Sequence, residues 1–383
     1  MSGLGACCLL GALIAFAPPA LADFAVTAND AHTTNVDGVA GPAKDPPPDT
    51  VSIIDVGQYP PKVIETVKAP TSVVGAPTSI WIAPDESYVL VTAATKIEPQ
   101  NPDRIVPDDR VSMIDLKTSP PRVVQQVNAG EGANGVSVSP DGTLALVANR
   151  NEGTLSVFTI KNKTLEPADK INLGNPKSMP SAVAFLPDGK TALLTRYGDN
   201  LTNVLHIDGT KVTIDERPLT TGVSPYTLDI NRDGTLAAVS NMGRGNGDID
   251  TVSLIDLTQK PFRTVETVSV GRSPEGLKFS PDGKFLAVAN VDGSTKPANS
   301  PFYRDHGMLV LFAVEGQSLR KLAEAPIGRW SQGIAFSRDG QTILIGSMVD
   351  HALDVFRWED GKLSEGAKLD TGGGPAAIRT AWP

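Results

Sequence analysis

Ser139-Pro140-Asp141-Gly142 lies between two short apolar runs, Gly135-Val136-Ser137-Val138 and Leu144 to Asn149. Asp-Gly between such runs specifies a tight hairpin, because Gly accepts a positive φ and Asp tolerates one. The same arrangement recurs as Leu186-Pro187-Asp188-Gly189, Asn231-Arg232-Asp233-Gly234, Ser280-Pro281-Asp282-Gly283 and Ser337-Arg338-Asp339-Gly340. Ala83-Pro84-Asp85-Glu86 is a degenerate copy, and the copies stand roughly 45 to 57 residues apart. A period of that length marks a repeat architecture in which each copy is one supersecondary unit.

Each turn has the same neighbours. The strand after it often ends in Ala-Asn or Ser-Asn, as at Asn149, Asn241 and Asn290. A third, alternating strand follows, such as Thr251-Val252-Ser253-Leu254-Ile255-Asp256-Leu257, and then a fourth such as Thr264 to Gly271. Four antiparallel strands per repeat describe a β-propeller. Six units carry the turn, and a seventh is divided between the chain ends. Phe24 to Asn29 reads as its second strand, Thr50 to Val56 as its third and Lys62 to Lys68 as its fourth, with Pro375 to Ala381 left to supply the first. Pairing those ends removes an open sheet edge. The expected fold is therefore all-β, one seven-bladed propeller over residues 23–383 closed by its N- and C-terminal strands.

Val147-Ala148-Asn149, the Thr251 to Leu257 strand and the Ser-Pro-Asp-Gly turns resemble the YVTN-type propeller repeats of exported bacterial proteins. They are also similar to the wider lactonase-like propeller group, which includes 6-phosphogluconolactonases and cycloisomerases acting on carboxy-muconates. The resemblance spans nearly all of residues 23–383, and its motifs are strand and turn residues, so it implies fold far more than function. What it implies about activity is a lactonase-like hydrolase or isomerase acting on an anionic lactone or carboxylate.

Composition bounds the rest. Forty per cent apolar residues suffice for a large core, and abundant Gly (36) and Pro (31) fit many short strands and turns. A net charge of −9 speaks against nucleic acid as a partner. Leu9 to Phe16 is an apolar run of signal-peptide length, and Ala20-Leu21-Ala22 is a small-x-small cleavage site, so residues 1–22 read as an export signal without a preceding Lys or Arg. Both cysteines, Cys7 and Cys8, fall inside it. The processed chain would have no thiol or disulfide, which suits the periplasm or the exterior. No later segment is apolar for long enough to span a membrane. A monomer is expected.

In a propeller blade the turn joining strands one and two opens on one face, and the connections from strand two to three open on the other. The Asp-Gly turns are uniformly tight, so their face reads as plain. The opposite connections are long: Asp30 to Asp49, Thr95 to Asp109, Arg196 to Thr202, Met242 to Asp250 and Val291 to His306. Long loops on a rigid scaffold are where binding is expected. Arg104, Arg110, Arg150, Arg196, Arg244, Arg272, Arg304 and Arg329 map to that face, as do Asp103, Asp108, Asp109, Asp199, Asp248, Asp250 and Asp305. The arginines could clamp an anion or pair with these carboxylates. His32, His306 and His351 lie on the same loops, but their spacing matches no compact ligand motif, and no metal or cofactor is assigned.

The inner strands open with Thr78, Asn134, Ser181, Tyr226, Glu275, Gln332 and Ala376, a polar ring with one acid. Glu275, between Arg272 and Arg329, is a candidate base, with His306 a second and Trp330 a candidate stacking residue. Arg150, Arg196, Arg244, Arg272, Arg304 and Arg329 are the candidate anion ligands. These positions do not match a lactonase catalytic motif one by one, and no histidine occupies the ring. The leading expectation is a periplasmic binding module whose loop face meets a protein partner or a small anion. The alternative is the lactonase-like enzyme.

Overall fold

The computed structural model describes residues 23–381, so the expected export signal lies outside the described residues. Seven four-stranded antiparallel sheets form the ring, one of them with a fifth short strand. Blade 1 is the divided one. Gly374–Thr380 is its inner strand, followed outward by Phe24–Asp30, Thr50–Asp55 and Lys62–Lys68. The two chain ends pair antiparallel, with Ala25 opposite Thr380 and Thr27 opposite Ile378. Blades 2 to 7 follow in chain order, their inner strands being Ile80–Ile82, Ala133–Val138, Pro180–Phe185, Pro225–Ile230, Pro274–Phe279 and Ser331–Phe336. Among the described residues no helix is long and apolar enough to cross a membrane.

The repeated residues have identifiable jobs. Ser139 donates to Asp141 at 2.6 Å and accepts the Leu144 N–H at 3.0 Å, which closes the turn, and Ser280 and Ser337 do the same in their blades. The turn glycines Gly142, Gly189, Gly234, Gly283 and Gly340 all have φ between 63° and 73°. In the degenerate copy Glu86 takes that conformation at φ 53° and accepts the Phe24 N–H at 3.3 Å, fastening the first strand of the domain. The asparagine ending the second strand ties it to the third: Asn149 Nδ2 donates to Thr154 and Ser156, Asn241 to Thr251 and Ser253, and Asn29 to Thr50 and Ser52.

Adjacent blades pack through apolar faces. Ala25, Ile54 and Ile378 of blade 1 meet Ala335, Leu344 and Val355 of blade 7, so the joined chain ends are bound into the ring by core packing as well as by the ladder.

The loop face is more ordered than its sequence suggests. Within Asp30 to Asp49 a hairpin forms from Thr33–Val36 and Val39–Pro42, and within Thr95 to Asp109 another forms from Thr95–Glu98 and Asn101–Pro107. The turn face is not plain. A funnel of about 330 Å³ opens there around the ring axis.

Candidate functional site

Every inner strand except Ile80–Ile82 contains an irregularity near its start, for example between Ala133 and Val136 and between Pro225 and Leu228. This local break in alternation lets residues three apart both face the channel. The first ring is the one read from the sequence. Its acid, Glu275, is 5 % exposed and accepts a 2.6 Å hydrogen bond from Gln332 Nε2 and another from the Trp330 indole. Burial pushes its carboxyl up to about 7, against those two bonds and the positive charge of Arg150.

Arg150 is the one loop-face arginine that turns fully into the ring. Its Nη1 donates to Ser181 at 2.7 Å, and its guanidinium lies 4.8 Å from the Tyr197 ring centroid and 5.5 Å from that of Tyr226. Burial raises the Tyr226 hydroxyl despite Arg150. Thr78 Oγ1, Asn134 Oδ1 and Gln332 Oε1 are buried in this ring with no protein partner, and so can bond water or a ligand.

Residues 70–77 roof the ring. This connection between blades 1 and 2 carries Val73, which packs on Met348 and Ala376, and Val74, which packs beside Trp330. Ala76 accepts a 3.1 Å bond from Asn134 Nδ2 and packs with Tyr226. Gly75, at φ 107°, passes so close that a Cβ there would lie 2.3 Å from the Asn134 side chain. Sequence reading missed this roof. Its signal was an apolar, proline-bounded linker, Pro70 to Pro77, longer than the other inter-blade connections at the loop face.

The roof is pinned by Asp30, His32 and Asp49, whose ligand-type atoms lie within 4.8 Å of one another. That composition could hold a metal, but the carboxylate oxygens are already committed to backbone N–H groups. Asp30 accepts Thr33 and Val73 at 2.8 Å each, and Asp49 accepts Ala31 at 2.9 Å and Thr71 at 3.3 Å. His32 is buried, not an exposed loop residue. Burial opposes its charge, yet its hydrogen bond to Asp49 and the charges of Asp30 and Asp49 outweigh that and raise its pKa, so the trio works as a hydrogen-bonded stitch. The three loop histidines do not share a site: His306 bonds Asp305 at 2.6 Å, and His351 is exposed in blade 7.

The remaining loop arginines pair locally. Arg110 binds Asp108, Arg196 binds Asp199, Arg272 binds Asp292 at 3.0 Å, Arg329 binds Asp350 at 2.9 Å and Arg104 binds Glu98 at 3.0 Å. Arg304 donates to the Tyr303 carbonyl, and Arg244 is exposed on the 242–250 loop. Glu275, Trp330 and Arg150 are thus brought together, whereas Arg196, Arg244, Arg272, Arg304, Arg329 and His306 stay on their own blades' loops.

Those loops interlock into a crest. The hairpin of blade 1 packs against that of blade 2 and reaches over to blade 6, where Asp37 accepts the Ala298 N–H at 3.0 Å and Gly38 abuts Pro297. The blade 6 loop in turn binds blade 5, through Lys296 to the Gly245 carbonyl at 2.6 Å and the Phe302 ring over Gly247. Val36 and Val39 remain 67 % and 70 % exposed at the hairpin tip, with Ile249 and Phe302 exposed farther along.

No protein-family model matches the sequence, and no curated protein sequence is similar to it. Solved structures are similar in fold. The Pseudomonas aeruginosa periplasmic gluconolactonase is 18% identical at a TM-score of 0.67, with 93% of this chain and 98% of that one covered. A Bacteroides uniformis protein to which 6-phosphogluconolactonase activity has been ascribed is 16% identical at 0.70, covering 94% and 99%. Kuenenia stuttgartiensis hydrazine synthase is 20% identical at 0.60, covering 80% and 90%. The chain is a seven-bladed propeller similar to lactonase-like ones, and identities this low carry no activity across.

Proposed function

We propose that the protein is exported to the periplasm or beyond and acts as a binding module, docking a protein partner on the crest of its loop face. The observation that carries this reading is a fastened crest tipped by exposed valines, Val36 and Val39. Backbone bonds and interlocked side chains hold the surface in advance, so binding loses little conformational entropy. The charged groups on this face are mostly neutralised by one another, which leaves apolar contact as its distinctive offering.

A photo-crosslinking residue placed at Val39 in the native host tests this. A discrete adduct is expected, lost when Val36→Asp is added and not formed from Asp188 on the turn face. If positions 36, 39, 249 and 302 all give no adduct, the reading is overturned.

A second reading, a lactone hydrolase or isomerase, is favoured by Glu275. A carboxyl pushed up to about 7 beside Arg150 and Tyr226 is suited to proton transfer near neutrality. Substrate would have to pass the 70–77 roof, and His306 would take no part. Hydrolysis of gluconolactone lost in Glu275→Gln would favour this reading over the first.

A further inference from the structure

Residues three positions beyond the first ring line the funnel at the turn face: Trp81, Ser137, Ala184, Asp229, Lys278 and Arg379, whereas the blade 7 counterpart, Ala335, packs against blade 1. Its charges meet on the axis. Lys278 Nζ lies 2.9 Å from Asp229 Oδ1, and Arg379 Nη1 reaches over from blade 1 to the same oxygen at 3.4 Å. The second Asp229 oxygen accepts the Phe279 N–H at 2.9 Å. The Lys278 and Asp229 side chains are each 7 % exposed and that of Arg379 19 %. One carboxylate therefore faces an amine and a guanidinium at the floor of the funnel; burial, with Arg379, pushes the Lys278 pKa down while Asp229 holds it up, and the exposed Arg232 adds positive charge at the rim.

That floor is cationic in a protein whose net charge is −9. The walls are mostly apolar, built from Trp81, Phe185, Ile230, Pro140 and Pro187 with Ser137, Asn231 and Thr380 between them. The volume, about 330 Å³, is in the range of small-molecule sites. Asp229 is the one acid among the residues that line the funnel, and the turn aspartates Asp141, Asp282 and Asp339 are held in their own turns, where they accept hydroxyl and N–H groups.

We propose that this funnel binds a small organic carboxylate with an apolar body, its carboxylate on Lys278 and Arg379 and its body against Trp81 and Phe185. Asp229 neutralises one of the two floor cations and holds both in place. The ligand's carboxylate answers the other, and guanidinium geometry suits a planar oxyanion. The mostly apolar walls offer a fully hydrated anion such as inorganic phosphate few bonds to replace its water, and so disfavour it. This site lies on the face opposite the crest, so it stands or falls separately from the docking reading.

Calorimetric titration of the purified protein with benzoate, hexanoate and inorganic phosphate tests it. One-to-one saturable binding of benzoate or hexanoate, tighter than phosphate, is expected. Arg379→Gln should weaken it about tenfold or more, as loss of a charge-assisted bond does. Ala184→Phe, which fills the funnel and leaves every charge in place, should abolish it, while Arg320→Ala on the outer edge of blade 6 should not change it. Urea denaturation of each variant separates lost binding from lost folding. The proposal is overturned if no probe binds, if phosphate binds as tightly as benzoate, or if binding persists in both Ala184→Phe and Arg379→Gln.

Discussion

Replacing Glu275 by Gln tests whether the first ring is as dry as its packing implies. The carboxyl is enclosed by Gln332, Trp330 and the 70–77 roof, and its pKa stands at about 7 against an ordinary 4.5. Below about pH 4.5 it is protonated in both folded and unfolded chains. Between about 4.5 and 7 the unfolded chain releases this proton while the folded chain keeps it, so folding stability falls as pH rises through that window and levels off above it. A gap of about 2.5 units, at about 1.4 kcal/mol per unit, makes the loss about 3 kcal/mol.

Gln is neutral throughout and its carbonyl can still accept from Gln332 or Trp330. The variant should therefore match the protein near pH 4.5 and exceed its stability by about 3 kcal/mol near pH 8. Asp23, Asp30 and Asp250 are also raised, chiefly by burial, and their contributions cancel in the difference between the two proteins. Urea denaturation at a series of pH values measures that difference directly. Parallel curves from pH 5 to 8 would refute the reasoning, because they would mean that Glu275 ionises as it does in water and that the ring is open to solvent.

Asp229→Ala should destabilise by about 3–5 kcal/mol, since it leaves the buried Lys278 cation and the Phe279 N–H without their acceptor; denaturant unfolding checks it, and a change under about 1 kcal/mol would mean that the funnel floor is hydrated. Ile378→Ala, in the closing strand and 1 % exposed, should lose about 2–5 kcal/mol, and deletion of residues 374–383 should abolish cooperative unfolding by circular dichroism. Gly75→Ala should destabilise through both its positive φ and the clash with Asn134, by about 1–3 kcal/mol in urea melts. Val36→Asp and Val39→Asp should leave stability within about 0.5 kcal/mol, so any effect on partner binding is read at the surface itself.

The blades were legible because their signals are local. A Ser-Pro-Asp-Gly turn closes through bonds within five residues, and the Asn ending one strand binds the Thr-x-Ser opening the next. Closure was legible by elimination, since Pro375 to Ala381 and Phe24 to Asn29 had no other partners, and their register bears it out. The degenerate turn shows the limit of this reading. Glu86 looked like a lost glycine, whereas its side chain has the separate task of holding Phe24 N.

The site was less legible, for a geometric reason. Alternation along an inner strand starting from Glu275 would send Leu277 into the channel next, yet the irregularity between Pro274 and Gly276 sends Lys278 there instead. The second ring was therefore invisible to a period-two reading, and so was the Asp229–Arg379 contact between residues 150 positions apart. The loop arginines failed to converge for a related reason. A ring of blades places each loop at its own angle around the axis, where a carboxylate on the same or the adjoining loop is nearer than the next blade's arginine, as Asp199 is to Arg196 and Asp292 to Arg272. Only side chains at the inner strands stand close enough to the axis to meet across it. Glu275 with Gln332 and Asp229 with Lys278 and Arg379 are such groups, and Arg150 joins them by leaving the end of its strand toward Ser181. In a propeller, charge counted over a face therefore says little about binding until it is sorted by distance from the axis.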